Sequence, residues 1–362
     1  MTEQSLVLLN PGPACTTERV SAALGRGDAC HREPEFGELL ERIKAGLTRS
    51  LEVGDTHQAV LVTGSGTAAM EMAVISSVRE GASIAIINNG VYGDRLAKMA
   101  RAHQITVHEV PGSWTEPADT AELRRVLAAH PDIDAVACVM HETTTGLLNP
   151  VAEIGEIVAG TGAVFVVDAI SATGNEGPSL ADIKADFICG TANKGLHGLP
   201  GMSFILVSQA KGMPRITAAP VRSLYLSAAT YLKDDVPFTS AVQVCYAFDE
   251  AIKEFAELGG YPARAAEYRA RAALLREGFT RLGLEILVPE PYRSQSVTML
   301  RLPQGVKYQP LHDELKRRGY VIYAGQGSLS EEYFRICNFG HLPADTLRRF
   351  LVDLEEALKA CS

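Results

Sequence analysis

Three groups of residues in this 362-residue chain could do chemistry together, because each group directly follows a predicted strand. Ser65, Gly66 and Thr67 form a turn at a helix N-terminus, where N–H groups, two hydroxyls and the helix dipole suit a phosphate. Asp168 ends the apolar run AVFVV, so its poorly hydrated carboxylate needs a cationic or N–H partner. Lys194 lies among small residues after the strand DFICG, where desolvation lowers the pKa of an amine and makes it nucleophilic.

Each group also has a simpler explanation. Thr67 could only cap its helix, Asp168 could cap the turn after its strand, and Lys194 could be a surface lysine. Residues 64–69 also match the dinucleotide pattern GxGxxA. The next predicted strand, however, ends Asn-Asn-Gly at 88–90 and lacks the acidic residue that holds a ribose, so an NAD site is disfavoured.

The order of the three groups indicates one cofactor. A phosphate clamp, a partner for a pyridine nitrogen and an amine that forms an imine are what pyridoxal phosphate requires. Tyr92 opens the helix after the second strand and could stack on one face of the ring, although it could equally be a core aromatic. Ile170, two residues beyond Asp168, could cover the other face.

The elements that must position these residues alternate between short apolar strands and helical patterns from about residue 58 to 245. This alternation predicts an α/β fold with a mainly parallel sheet covered on both faces, and ligands beyond the carboxyl ends of the strands. The predicted strands are 58–64, 83–89, 106–110, 134–142, 163–169, 186–191 and 201–208, and the predicted helices are 67–78, 92–104 and 118–130.

Past residue 250 the pattern is that of a smaller α+β layer. It has predicted helices at 261–282, 308–318 and 343–360, and predicted strands at 285–289, 296–302, 320–323 and 333–339. We therefore predict three parts: an N-terminal segment, 1–20, that packs on the active site and the small domain; a large α/β domain, 21–255; and a small C-terminal domain, 256–362.

Composition excludes several classes of function. The chain has 34 Lys+Arg and 43 Asp+Glu, a formal charge of −9, which disfavours a nucleic-acid partner and leaves any anion to be held by local groups. The seven cysteines include no CxxC pair and the nine histidines no HExxH, so we predict reduced thiols and no metal. Without a secretory pattern at the start or an apolar stretch of about 18 residues, we expect a cytoplasmic protein with no membrane contact.

Nine stretches resemble the class V, fold-type I aminotransferases, in the family's order and nearly end to end. The ETTTG-LNP and ANK-G-G-PG segments are most similar to the branch of 2-aminoethylphosphonate–pyruvate transaminases. The stretches are LLNPGP (8–13), CHREPEF (30–36), TGSGTAAME (63–71), NNGVYG (88–93), HETTTGLLNP (141–150), VDAISATG (167–174), DFICGTANKGLHGLPGMSFI (186–205), PFTS (237–240) and FRICNFG (334–340).

The resemblance implies a large domain with a seven-stranded, mainly parallel sheet. It also implies a homodimeric aminotransferase that moves the amino group of 2-aminoethylphosphonate to pyruvate, giving phosphonoacetaldehyde and L-alanine, or the reverse. Lys194 would bond to the cofactor and shuttle the proton, while Asp168 would pair with the pyridine N–H. The other implied cofactor contacts are Ser65, Gly66, Thr67, Tyr92, Thr143, Ile170, Asn193 and, from the neighbouring subunit, Thr239.

For the substrate, the resemblance implies that Arg335 holds the carboxylate of pyruvate, with Gly12 and Arg32 nearby. Without the family, Arg335 would be interpreted as a surface arginine at a strand edge. The segment CHREPEF is similar to alanine–glyoxylate-type relatives, so Arg32 could meet a phosphonate or form a salt-bridged turn. An aminotransferase for alanine or serine with glyoxylate, or for a related aminophosphonate, stays an alternative, whereas a lyase or desulfurase is disfavoured because Cys337 lies in a predicted strand.

Overall fold

The structure is a computed structural model that describes residues 6–234 and 236–361. The helices are α1 (Glu18–Ala22), α2 (Pro34–Ser50), α3 (Gly66–Ser77), α4 (Val91–Ala102), α5 (Thr120–Ala129), α6 (Val151–Ala159), α7 (Gly212–Ala218), α8 (Ala228–Lys233), α9 (Val242–Leu258), α10 (Gly260–Arg281), α11 (Tyr308–Arg317) and α12 (Ala344–Cys361). The strands are β1 (Val7–Leu8), β2 (His57–Gly64), β3 (Ser83–Asn88), β4 (Thr106–Pro111), β5 (Ile133–Val139), β6 (His141–Glu142), β7 (Leu147–Leu148), β8 (Val164–Asp168), β9 (Phe187–Thr191), β10 (Gly201–Ser208), β11 (Val297–Arg301), β12 (Tyr320–Val321), β13 (Tyr323–Ala324) and β14 (Tyr333–Cys337).

The large sheet has seven strands in the order β2-β10-β9-β8-β5-β3-β4. Every neighbouring pair is parallel except the two that β10 makes with β2 and β9. The predicted mainly parallel sheet is therefore confirmed. Strands β5, β8 and β9 are buried along their whole length, which explains why their sequences are continuous apolar runs rather than alternating ones.

Helices cover both faces of this sheet, as the buried clusters show. One cluster joins the sheet to α2, α5, α6 and α9, and the other joins it to α3, α4, α7 and α8. Strands β2, β3, β8 and β9 run in the same direction, so their carboxyl ends meet at one edge. This edge brings together the N-termini of α3 and α4, the end of β8 and the loop after β9.

The C-terminal part is built on a second, antiparallel sheet in the order β11-β14-β13. Its apolar side packs with α10, α11 and α12 into a separate buried cluster. Strand β1 pairs in parallel with β12, and the N–H of Cys337 donates to the carbonyl of Leu9 at 2.9 Å, which attaches the start of the chain to this part.

Residues 1–5 and 362 of the predicted segments lie outside the described residues, and the predicted boundary at 255/256 falls inside α9.

The prediction of a strand at 285–289 was wrong. Only Ile286 bridges to Leu300 there, although Leu287 and Glu285 each make one further hydrogen bond to β11. The predicted strand itself ends in Pro289 and is followed by Pro291, and a proline has no N–H to continue the pairing. The chain turns instead into a short 3₁₀ helix at Glu290–Tyr292.

None of the helices in the described part of the chain is both long enough and apolar enough to cross a membrane.

Candidate active site

A cavity of about 520 Å³ opens at the carboxyl edge of the large sheet. This volume lies in the range of sites for cofactors and small substrates. The predicted residues that line it are Ser65, Gly66, Thr67, Tyr92, Ile170, Asn193 and Lys194. The same lining contains Arg95, to which sequence reasoning gave no role.

Lys194 is held by the N-terminal segment. Its Nζ donates to the carbonyl of Pro11 and lies 5.3 Å from the centroid of the Phe339 ring. Gly12 has φ +123°, a conformation that strains any other residue, and a Cβ there would lie 2.9 Å from Cε of Lys194, so a substitution would also displace the amine. Burial, aided by the positive charge of Arg335, lowers the pKa of Lys194 to about 8. The amine can therefore lose its proton near neutral pH.

Asp168 is buried at the end of β8, with only 3% of its surface exposed. Its Oδ1 accepts a hydrogen bond from the N–H of Ile170 at 2.9 Å. Burial raises the pKa of Asp168 to about 6, while the Ile170 N–H and the charge of Lys194 act in the opposite direction. A cationic partner at this carboxylate would be strongly favoured.

The turn at the start of α3 has the features of a phosphate site. Ser65 is the N-cap residue, yet its side chain makes no capping hydrogen bond, so its hydroxyl remains available. Thr67 lies inside the first turn, and its Oγ1 accepts a 3.4 Å hydrogen bond from Arg95. A Cβ on Gly66 would lie 2.9 Å from the side chain of Ile170, so only glycine allows these two segments to approach.

Tyr92 is positioned by a buried carboxylate that sequence reasoning missed. Oε1 of Glu142 accepts the N–H groups of Tyr92 and Gly93 at 3.0 and 2.9 Å, and Oε2 accepts the hydroxyl of Thr144 at 2.9 Å. Burial raises the pKa of Glu142 to about 7. A signal was present in the sequence, since Glu142 is an acidic residue in a predicted strand. Its partner on α4 was not visible there.

Arg335 is not a surface residue. It lies in β14, the central strand of its sheet, and is 4% exposed. Its guanidinium donates to the carbonyls of Ala324 and Thr143, both at 3.0 Å, and to Gln326 Oε1 at 3.2 Å. The alternative of a surface arginine at a strand edge is thereby excluded.

Thr143 offers a buried hydroxyl for which the structure shows no use. Its side-chain oxygen has no hydrogen-bond partner among the described residues, although Thr143 is only 1% exposed. A buried hydroxyl without a partner is costly, so a bound group that supplies one would be favoured. The ring oxygen of pyridoxal phosphate is such a group. The hydroxyl, the turn before α3, the carboxylate and the amine together fit this cofactor.

Six predicted residues do not line this cavity. Gly12, Thr143, Asp168 and Arg335 are joined to its lining residues or to one another by the contacts above, whereas Arg32 and Thr239 are not. Arg32 donates to the carbonyls of Val236 and Pro237 at 2.6 and 3.3 Å and lies 3.5 Å from the carboxylate of Asp234. Within one subunit it forms the salt-bridged turn that the sequence left open. Thr239 is exposed on the same loop, where it lines a separate small pocket.

One cluster of potential metal ligands occurs in the described residues, away from this cavity. His108, His130 and Asp132 have ligand atoms within 4.8 Å of one another. The two imidazole rings are stacked with centroids 3.8 Å apart and planes at 24°, so their nitrogen lone pairs lie in two separate, nearly parallel planes and one ion cannot lie well in both. This arrangement differs from a tetrahedral site. That the protein uses no metal stays a prediction.

The comparisons with known proteins agree with this geometry. The model of the family "Aminotransferase class-V" matches residues 16–339. A 2-aminoethylphosphonate–pyruvate transaminase of Syntrophobacter fumaroxidans is 34% identical over 98% of this chain and 97% of its own length. A protein of the same name from Bacillus cereus strain G9842 is 32% identical, with 98% of both chains covered.

Solved structures show the same fold. An alanine–glyoxylate aminotransferase from Nostoc sp. superposes with a TM-score of 0.92 at 24% identity, over 99% of this chain and 96% of its own. A pyridoxamine–pyruvate aminotransferase from Mesorhizobium loti gives a TM-score of 0.88 at 25% identity, over 99% and 92%. The resemblance inferred from the sequence is confirmed: the chain belongs to the class-V aminotransferases and is a pyridoxal phosphate-dependent enzyme.

Proposed function

We propose that this aminotransferase moves the amino group of 2-aminoethylphosphonate to pyruvate and yields phosphonoacetaldehyde and L-alanine, or runs the reverse reaction. The observation that carries the proposal is that Lys194, Asp168 and Arg335 lie around one site, with the pKa of Lys194 lowered by burial and by the charge of Arg335. Near full-length relatives at 31–34% identity that carry this activity in their names support it.

Each residue of the site has a separate role in the proposed reaction. Bound pyridoxal phosphate supplies an electron sink for the negative charge that develops on the substrate carbon. Ser65, Gly66 and Thr67 hold its phosphate, and Asp168 holds the pyridine N–H. Lys194 Nζ would anchor the cofactor and, when free of that bond, would accept the proton from the substrate carbon that bears the amino group.

The remaining contacts orient the cofactor and the keto acid. Tyr92, fixed by Glu142, stacks on one ring face and Ile170 covers the other. The Thr143 hydroxyl donates to the ring oxygen, and Asn193 lies beside the anchor. Arg335 would bind the carboxylate of pyruvate through Nη2, since Nε and Nη1 already donate to Ala324, Thr143 and Gln326 and hold the guanidinium in place.

A second copy of the chain completes the proposed site. Val221, Leu224 and Tyr225 expose 64%, 71% and 39% of their surfaces on the segment that leads to Thr239. Clustered exposed apolar side chains mark a surface that another protein covers. The Tyr225 hydroxyl donates to the carbonyl of Thr63, a residue of the cavity lining, at 2.8 Å, so this surface adjoins the site. We propose a homodimer in which Thr239 reaches the neighbour's phosphate.

We also propose a cytoplasmic location. All seven cysteines of the chain are free thiols in the structure, four of them buried (Cys138, Cys189, Cys245 and Cys337). Unpaired thiols are typical of a reducing compartment.

The test of the reaction is the visible spectrum of the purified enzyme during titration with 2-aminoethylphosphonate and no keto acid. The proposal expects the band of the lysine-bound cofactor to fall, the band of its amino form to rise, and pyruvate to reverse both changes. If 2-aminoethylphosphonate leaves the spectrum unchanged while L-serine converts the cofactor and glyoxylate restores it, the substrate assignment is wrong and the cofactor assignment stands.

Arg335→Ala is expected to raise the KM for pyruvate by about 10- to 100-fold, because a charge-assisted pair to the carboxylate is lost. The half-reaction with 2-aminoethylphosphonate should slow much less. Separate stopped-flow measurements of the two half-reactions check this. Arg301→Ala, an exposed arginine in the neighbouring strand β11, is the matched control and should change neither. Equal losses in both half-reactions would contradict the division of labour.

A further inference from the structure

The cavity contains a second cation besides Lys194. Arg95 lies on α4, one turn after Tyr92, and lines the same space as the turn before α3. Its Nη1 donates to Thr67 Oγ1 at 3.4 Å, and its guanidinium carbon lies 4.7 Å from the centroid of the Tyr92 ring. The guanidinium therefore lies next to the phosphate turn, and neither the sequence nor the proposed reaction has given it a role.

Arg95 differs from the other cations of its helix in having no acidic partner. Lys98 pairs with Asp94 and Arg101 pairs with Glu109, both outside the cavity. Among residues 6–234 and 236–361, no carboxylate forms an ion pair with Arg95 within 4.0 Å. The charge of Asp168 acts on Arg95 only from beyond ion-pair distance. A half-buried guanidinium without an ion-pair partner is favoured to bind an anion.

The charge at the phosphate turn supports the same conclusion. A phosphate monoester carries roughly −1.5 to −2 charges near neutral pH. The N-terminus of a helix offers the equivalent of about +0.5, and the hydroxyls of Ser65 and Thr67 offer none. Lys194 cannot neutralise the remaining negative charge of the phosphate, because its amine is the anchor of the cofactor. Arg95 is the other cation in the lining of the cavity.

We propose that Arg95 binds the phosphate of pyridoxal phosphate and supplies its counter-charge. This inference rests on the phosphate site assigned to Ser65, Gly66 and Thr67 under the proposed function. A phosphonate is an oxyanion like a phosphate, so the substrate is the other candidate ligand. Arg95, however, contacts Thr67 of the phosphate turn, whereas Arg335, the arginine assigned to the substrate, contacts Thr143 instead. The cofactor phosphate is therefore the ligand of Arg95.

The experiment compares two aldehydes that differ only in the phosphate. After the cofactor is removed from the purified enzyme, pyridoxal phosphate and pyridoxal are titrated by absorbance into the wild type, Arg95→Gln and Arg95→Lys. Arg95→Gln should raise the Kd of pyridoxal phosphate by about 10- to 100-fold, since charge-assisted hydrogen bonds are lost, and that of pyridoxal less than about threefold. Arg95→Lys keeps the charge and should lie in between. Arg101→Gln, on the same helix, should change neither constant.

Three outcomes would overturn the inference. Equal weakening of both aldehydes by Arg95→Gln would mean that Arg95 only supports Tyr92 and Thr67. An unchanged Kd for pyridoxal phosphate with a raised KM for 2-aminoethylphosphonate would assign Arg95 to the substrate phosphonate. If Arg95→Gln loses the native circular-dichroism spectrum, Arg95→Met replaces it as the variant without a charge. Wild-type Kd values for both aldehydes in Arg95→Met and in Arg95→Lys would then exclude a role for the charge of Arg95. If the wild-type enzyme fails to react with 2-aminoethylphosphonate, only the proposed substrate is wrong. The inference about Arg95 is unaffected, because the Kd values of the two aldehydes are measured without that substrate.

Discussion

Lys194→Ala is expected to abolish transamination, with a fall in kcat of at least about 10⁴-fold. The variant loses both the anchor of the cofactor and the base that moves the proton, and no described side chain replaces an amine whose pKa burial lowers to about 8. The visible spectrum under single-turnover conditions measures the loss directly. Lys184→Ala is the control, since Lys184 is an exposed lysine paired with Glu156.

The same variant separates binding from chemistry. Ser65, Thr67, Asp168 and Tyr92 are untouched, so Lys194→Ala should still bind pyridoxal phosphate, now without a covalent bond. A small primary amine added to the solution should restore part of the rate, because it replaces the missing base. Transamination at the wild-type rate without such an amine would refute the role of Lys194.

Asp168→Asn is expected to retain the cofactor and to slow the proton transfer by about 10²- to 10⁴-fold. The amide has the shape of the carboxylate and can still accept the N–H of Ile170, but it cannot stabilise a protonated pyridine nitrogen. The charge of Asp168 also raises the pKa of Lys194, so this pKa should fall below about 8 in the cofactor-free variant. Stopped-flow rates across a pH series measure the first effect, and pH-dependent labelling of the amine the second.

A matched control for this change is Asp119→Asn. Asp119 caps α5 outside the cavity, and asparagine caps a helix as well as aspartate does, so the rate should be unchanged. A wild-type rate in Asp168→Asn, or loss of bound cofactor with the fold intact, would contradict the assignment of Asp168 to the pyridine nitrogen.

Much of the fold could be predicted because the large sheet is buried on both faces. Continuous apolar runs then indicate strands such as β8 and β9, and the intervening helices require mainly parallel pairing. The direction of β10 is not visible in its own sequence, since a fully buried strand has the same composition either way. The direction of β10 follows from the length of the connection before it. Residues 192–200 are too few for the crossover that joins two parallel neighbours, so β9 and β10 must be antiparallel.

The candidate site was predictable for the residues that directly follow a strand of the large sheet. Lys194, Asp168 and the turn at Ser65 each follow a strand, so their meeting at one edge follows from the sheet. Glu142 and Arg95 were missed because their surroundings depend on contacts with distant segments, from Glu142 to α4 and from Arg95 to Thr67.

The second sheet and the proposed subunit contact limited the prediction in different ways. Arg335 resembles a surface arginine in the sequence because nothing near it shows that β14 is the central strand. The strand at 285–289 was predicted from β-branched and apolar residues, whereas Pro289 at its end and Pro291 just after it limit its pairing. Thr239 stays a prediction, since its proposed ligand lies in another subunit.

The contact between Pro11 and Lys194 links the start of the chain to the state of the catalytic amine. The Nζ that donates to Pro11 is the same atom that must bond to the cofactor. Residues 7–9 are in turn paired with β12 and β14, so the C-terminal part helps to hold this segment over the amine. The position of the catalytic amine therefore depends on residues 7–12 and on the C-terminal part that holds them, as well as on the loop after β9.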